Sequence, residues 1–227
     1  LPANRFFAAG SALRRQEDEH CHNICKKKNA VCKKRMGKRM YELKNDPFYD
    51  VIAKYQGCVI DFCIMKSDTF YREEASHREA VLYAIQKFSL QYGDDGQMWE
   101  WDESRAFAKE IDAKAFLSLP EKPWKKTLKG KDGTDVICYD KKTDGGSIPY
   151  WEAFLMPPYG QSYTEEDFSK VNAALFPNGT DALTVYEWTT DWADYFDEGR
   201  EWWGTMCVSV YDESLDRYAV IMASATD

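Results

Sequence analysis

The chain has 227 residues, a net charge of −8 and 15% aromatic content, with eight Trp and fourteen Tyr. That composition excludes a disordered acidic tail as the main body, and the lack of any run of 18 apolar residues excludes a membrane-spanning helix. Charge is unevenly placed: residues 1–64 carry 13 Lys/Arg against 7 Asp/Glu, and residues 65–227 carry 17 against 31. The asymmetry predicts two parts, a basic, mainly helical segment 1–64 that holds five of the seven cysteines and an acidic α+β domain 65–227.

In chain order, the start Leu1-Pro2-Ala3-Asn4-Arg5 lacks an initiator Met and a signal-peptide core, and reads as a cloning or proteolytic boundary. Residues 11–40 read as a helix. The 4- and 7-residue spacing of Cys21, Cys25 and Cys32 places them on one stripe, with Lys26, Lys27, Lys28, Lys33, Lys34, Arg35, Lys38 and Arg39 around it. Asn45-Asp46-Pro47 ends that helix, a short element follows over 48–55, and residues 58–64 are an apolar run suited to a buried strand or packed tail. Met65-Lys66-Ser67-Asp68 resembles a native start with a polar cap, leading into a helix whose apolar side is His77, Val81, Ile85 and Phe88 and which ends near Tyr92. A second helix is predicted over 102–117, with Phe107, Ile111 and Phe116 on its apolar side.

Residues 134–139 alternate as a strand after the turn cluster Lys129-Gly130-Lys131-Asp132-Gly133, and residues 150–155 are apolar and aromatic. Thr164-Glu165-Glu166-Asp167 has the form of a capping box opening a helix to about Phe176, which Pro177-Asn178-Gly179 terminates. Residues 183–188 read as a strand. Residues 201–211 and 217–225 then form a β-hairpin in which Met206, Val208 and Val210 share a face, as do Tyr218, Val220 and Met222. The predicted fold is α+β: N-terminal helices followed by an antiparallel sheet that ends in this C-terminal hairpin, one face of it lying on the helices.

Few residues point to catalysis. His20-Cys21-His22 with Cys25 and Cys32 offers zinc-type ligands but no Cys-x2-Cys pair, so a packed cysteine stripe, open to bridging with Cys58 or Cys63 on oxidation, is expected rather than a metal site. No nucleophile elbow or phosphate-cradling glycine loop occurs, and neither a cofactor nor a catalytic residue is expected. The densest constellation is 191–204, where five of six charged side chains are acidic and alternate with aromatics. Asp191, Asp194, Tyr195, Asp197, Glu198, Glu201, Trp202 and Trp203 are the candidate partner-binding residues, since carboxylates supply ion pairs and large aromatics supply anchoring contacts. Core packing beneath the hairpin is the competing role for Trp202 and Trp203. Asp194 and Glu201 could instead serve as a glycosidase carboxylate pair, which would make the chain a small carbohydrate-active enzyme, or the cluster could belong to a carbohydrate-binding module. The acidity of the domain serves either solubility or a basic protein partner, and it disfavours nucleic acid.

Tyr195-Phe196-Asp197, Glu201-Trp202-Trp203-Gly204, Asp216-Arg217-Tyr218 and Ala223-Ser224-Ala225-Thr226-Asp227 together resemble bacterial immunity proteins encoded beside polymorphic or contact-dependent toxins. The resemblance covers roughly the last 80 residues, from Pro149-Tyr150-Trp151 onward. It implies a cytoplasmic, non-enzymatic domain that binds and neutralises a cognate toxin, with no catalytic residue carried over. Segment 1–64 is similar to pieces found near toxin C-termini, which implies a toxin-derived fragment joined to an immunity domain.

Overall fold

The computed structural model describes residues 40–92, 98–120, 125–129, 133, 135–139, 146–159 and 162–225. The chain divides into two units, Leu1–Arg39 and Met40–Asp227, and every described residue belongs to the second. The helix expected over 11–40 and its cysteine stripe lie outside the described residues, except that Met40 begins a strand.

The elements are β1 (Met40–Glu42), α1 (Phe48–Ile52), β2 (Ile60–Ser67), α2 (Glu74–Tyr92), β3 (Ala108–Ile111), α3 (Ala113–Leu117), β4 (Lys125–Lys129), β5 (Asp135–Tyr139), α4 (Tyr150–Leu155), α5 (Glu165–Leu175), β6 (Leu183–Trp188), α6 (Asp197–Glu201), β7 (Thr205–Asp212) and β8 (Arg217–Ser224). Six strands form one antiparallel sheet in the order β1-β2-β8-β7-β6-β3, while β4 and β5 pair as a separate hairpin. The fold is α+β and ends in the β7–β8 hairpin, with Met206 opposite Ala223 and Asp212 opposite Arg217.

Both faces of the sheet are covered. Met206, Val208 and Val210 share a core with Phe62, Ile64, Ala219 and Ile221, against Phe48 of α1, the apolar α4 and Phe168, Val171 and Leu175 of α5. Tyr218, Val220 and Met222 lie on the opposite face with Cys63, Met65 and Cys207, against Ala80, Val81, Ala84, Ile85 and Phe88 of α2. Each triple shares a face as its period-2 spacing requires, but the two faces are different, because Val208 pairs with Ile221 and Val220 pairs with Ser209. Every residue of β7 is buried, so a hairpin expected to be covered on one side is the middle of a three-layer structure.

The boundary at Met65 is a correction. Met65 is fully buried inside β2, which pairs with β8 from Ile60 opposite Ala223 to Met65 opposite Tyr218. Residues 40–64 therefore complete the sheet, and two strands precede the long helix. The unpaired start of a helix and a strand packed on both faces both present an apolar Met beside polar residues, and the apolar run 60–65 belongs to the second. The chain turns at Ser67, whose hydroxyl oxygen accepts the Thr69 N–H at 3.1 Å, and α2 begins only at Glu74. With the boundary at Met40 the asymmetry sharpens: Leu1–Arg39 holds 11 Lys/Arg against 3 Asp/Glu, and Met40–Asp227 holds 19 against 35.

The helix expected over 102–117 is also corrected. Asp102 caps a single turn at Glu103–Arg105, Phe107 enters an extended segment in which the Thr189 N–H donates to its carbonyl at 2.9 Å, and β3 pairs with β6. Asp112 then caps α3 by accepting the Ala115 N–H at 2.6 Å. Two Asp caps ten residues apart break the helical period that the apolar spacing suggested. The capping box at Thr164 forms as expected: its hydroxyl oxygen accepts the Asp167 N–H at 3.1 Å, and the Asp167 carboxylate accepts the Thr164 N–H at 3.0 Å.

Candidate functional site

The connection from β6 to β7 carries the acidic-aromatic constellation, and its shape follows from which aromatics are buried. Trp192, Phe196 and Trp203 enter the core, and the Trp192 indole N–H donates to the Thr189 carbonyl at 2.5 Å. A 3-10 turn at Asp194–Phe196 leads into α6. That helix lies tight on the end of β8, since a Cβ on Gly199 would sit 2.4 Å from Ser224 Oγ and 2.9 Å from the Ala225 nitrogen. With the aromatics turned inward, Asp191, Asp194, Asp197, Glu198 and Glu201 face solvent.

Two of the eight predicted site residues have other roles. Trp203 is only 3% exposed and packs with Met206 and Ile148 in the core beneath the hairpin, so it cannot meet a partner. Tyr195 is half-buried and acts as an anchor: its hydroxyl donates to Asp61 Oδ2 at 2.8 Å, and its ring meets Trp99 edge-on at 5.3 Å. The Tyr92 hydroxyl donates to the other Asp61 oxygen at 3.1 Å. Burial pushes the Asp61 carboxyl up, against the pull of the two hydroxyl donors. Trp202, by contrast, is 39% exposed, with its ring 6.2 Å from that of Tyr159, itself 58% exposed.

The exposed carboxylates are held to different degrees. Asp191 pairs with Arg105 at 2.8 Å, and that guanidinium holds its carboxyl below the usual carboxylate value. Asp194 accepts the Glu100 N–H at 2.8 Å, and Asp197 pairs with Arg200 along α6. No hydrogen bond or ion pair engages the side chain of Glu198 or Glu201 among the described residues.

Sequence reasoning missed the second half of this surface. Trp101 forms an antiparallel bridge with Ala193, the Asp102 N–H donates to the Trp192 carbonyl at 2.8 Å, and the Asp194 N–H donates to the Glu100 carbonyl at 3.1 Å. These bonds lay the exposed Glu100, Asp102 and Glu103 beside Asp191 and Asp194. These two segments thus carry eight exposed carboxylates with Arg105 and Arg200 among them, and Arg78 of α2 donates to the Glu103 carbonyl at 3.3 Å beside them. The signal was present in Glu100-Trp101-Asp102-Glu103, the same interleaving of acids and Trp that marks 191–194.

No family model, curated protein or solved structure matches this chain.

Asp194 accepts a backbone N–H, Glu201 is exposed on α6, and neither lines the open cavity of about 480 Å³ between α3, α4 and the sheet. His77 Nδ1 lies 2.9 Å from Ser209 Oγ, which also accepts the Trp188 indole N–H at 2.8 Å, and His77 Nε2 lies 3.2 Å from the Tyr71 hydroxyl. His77 and Ser209 are wholly buried, so this is a satisfied polar node between α2 and β7, out of reach of any substrate. Burial pushes His77 down to about 4. Among the described residues no His/Cys/Asp/Glu group is arranged to hold a metal ion, no helix is long and apolar enough to cross a membrane, and Cys58, Cys63 and Cys207 are free thiols.

Proposed function

We propose that the Met40–Asp227 unit is a non-enzymatic inhibitor of the immunity-protein kind, which binds a basic bacterial toxin in the cytoplasm and occludes it. The observation that carries this reading is the exposed surface of eight carboxylates and two arginines over 100–105 and 191–201, with Trp202 and Tyr159 standing exposed beside its end. Charge of one sign on a rigid, open surface speeds encounter with a partner of the opposite sign, and exposed aromatics beside it supply the contacts that slow dissociation. The sequence resemblance over the C-terminal region supports a toxin as that partner.

The test is capture of the partner by the full chain from its host, followed by association kinetics at two salt concentrations. The association rate should fall with added salt and fall further for a Glu198→Lys, Glu201→Lys variant. A rate unchanged by both would overturn the acidic-surface reading. A carbohydrate-binding module is the second reading, favoured by the exposed Trp202–Tyr159 pair alone. Retention on polysaccharide columns that is lost in Trp202→Ala would favour it over protein binding.

A further inference from the structure

On the other side of the sheet from α2, a cavity of about 480 Å³ opens between α3, α4 and the strands. Phe116 and Tyr150, stacked at 5.1 Å and 20°, form one wall, Trp151 flanks them, and Met206 and Val208 of β7 form the floor with Glu187 of β6. We infer that this cavity binds a small organic cation, a protonated amine carried on a flat apolar body. It is separate from the acidic surface, and no residue of that surface lines it.

Three observations lead there. The size is that of a small-molecule site, since such pockets span roughly 300–1,000 Å³, and it exceeds what one inserted side chain would fill. Two other polar side chains lining it are already used: the Tyr150 hydroxyl donates to Asn172 at 3.0 Å and the Ser118 hydroxyl to the Lys114 carbonyl at 2.5 Å. Glu187 is different. Its cross-strand neighbours are Val208 on β7, which lines the cavity, and Lys109 on β3, so its side chain stands on the cavity face. Yet its carboxylate forms no ion pair with Lys109, and no hydrogen bond or ion pair engages that carboxylate among the described residues.

Glu187, itself exposed, is thus the one charged group lining a mostly apolar, aromatic-walled space, and no other side chain holds its carboxylate among the described residues. An apolar body gains by leaving water for Phe116, Tyr150, Met206 and Val208, and a positive charge at its end meets the carboxylate. A neutral analogue keeps the first gain and loses the second, while an anion meets repulsion.

The experiment titrates the full chain with phenethylamine, phenethyl alcohol and hydrocinnamate at neutral pH, followed by ligand-observed NMR. Phenethylamine should bind saturably and about fivefold more tightly than the alcohol, the scale of one partly exposed ion pair, with hydrocinnamate weakest. Glu187→Gln should bring amine and alcohol to equal affinity. Ala115→Trp, at an exposed lining position on α3, should abolish binding of both. If Ala115→Trp does not fold, the Glu187→Gln comparison decides alone. Absence of saturable binding, equal affinity for amine and alcohol in the unaltered chain, or an amine preference that survives Glu187→Gln would each overturn the inference.

Discussion

The buried His77 makes stability depend on pH in a defined window. In the folded chain its pKa is pushed down to about 4 by burial between α2 and β7, whereas in the unfolded chain it titrates near 6.5. Above about 6.5 the imidazole is neutral in both states and the folded form keeps its full stability. As the pH falls below 6.5 the unfolded chain takes up a proton that the folded chain refuses, and stability is lost progressively until the pH reaches the folded value. The linkage relation gives a loss of about 2 kcal/mol by pH 5 and a limit of about 3 kcal/mol below both values. Carboxylates titrate in the lower part of the same range, so the wild-type curve alone does not isolate the effect. The comparison is with His77→Gln, which cannot ionise, through urea unfolding from pH 7 to pH 5. The wild type should lose about 2 kcal/mol more than the variant over that interval. Equal losses would refute the reasoning and would mean that His77 reaches solvent or gains a charge partner in solution.

Other perturbations test the packing. A chain cut to 65–227 loses Phe48, Ile60, Phe62 and Ile64 from the core, at about 1.5–3 kcal/mol each, which is comparable to a whole domain's stability of about 5–15 kcal/mol; it should aggregate, whereas 40–227 should give a cooperative melt by circular dichroism. Arg217 and Asp46 form a buried ion pair, with the Arg217 guanidinium also donating to the Leu175 carbonyl at 2.6 Å, so Asp46→Ala should lower stability by about 3–5 kcal/mol in chemical denaturation. Trp203→Ala should cost about 3–5 kcal/mol through its cavity, while Trp202→Ala should leave the melting temperature nearly unchanged and weaken partner binding. Gly199→Ala should destabilise by about 1–3 kcal/mol, because its Cβ would press on Ser224 and the β8 backbone, and it should also weaken the partner by displacing α6.

Much of the fold was legible where one local rule dominated. The capping box at Thr164, the strand at 183–188 and the β7–β8 hairpin each rest on a short pattern that tertiary structure had no reason to override. The boundary at Met65 and the helix at 102–117 were misread because apolar spacing alone does not distinguish a strand buried on both faces, or an edge strand between two capped turns, from a helix. Phe107 illustrates the difficulty: it fits the helical apolar period, yet it is 65% exposed at the start of an edge strand. The cavity beside Glu187 left no trace in the sequence, since its lining comes from β3, α3, α4, β6 and β7, which only the sheet order brings together.

The acidic surface was half legible for a related reason. Interleaved acids and aromatics marked 191–204 as unusual, but the pattern does not say which residue type faces out, and both Trp203 and Tyr195 turn inward. Their burial is what gives the surface its form. Trp192, Phe196 and Trp203 fix the connection between β6 and β7 to the core, and Tyr195 ties it to Asp61 of β2. The backbone bonds to Glu100 and Asp102 add a second segment at fixed spacing. Carboxylates on such a support do not have to be ordered when a partner arrives, which lowers the entropic cost of association relative to the same charges on a mobile loop. The surface that would contact a partner is therefore set by aromatics that never touch it, and substitutions at Trp192 or Phe196 should disperse the acidic face even though every carboxylate remains.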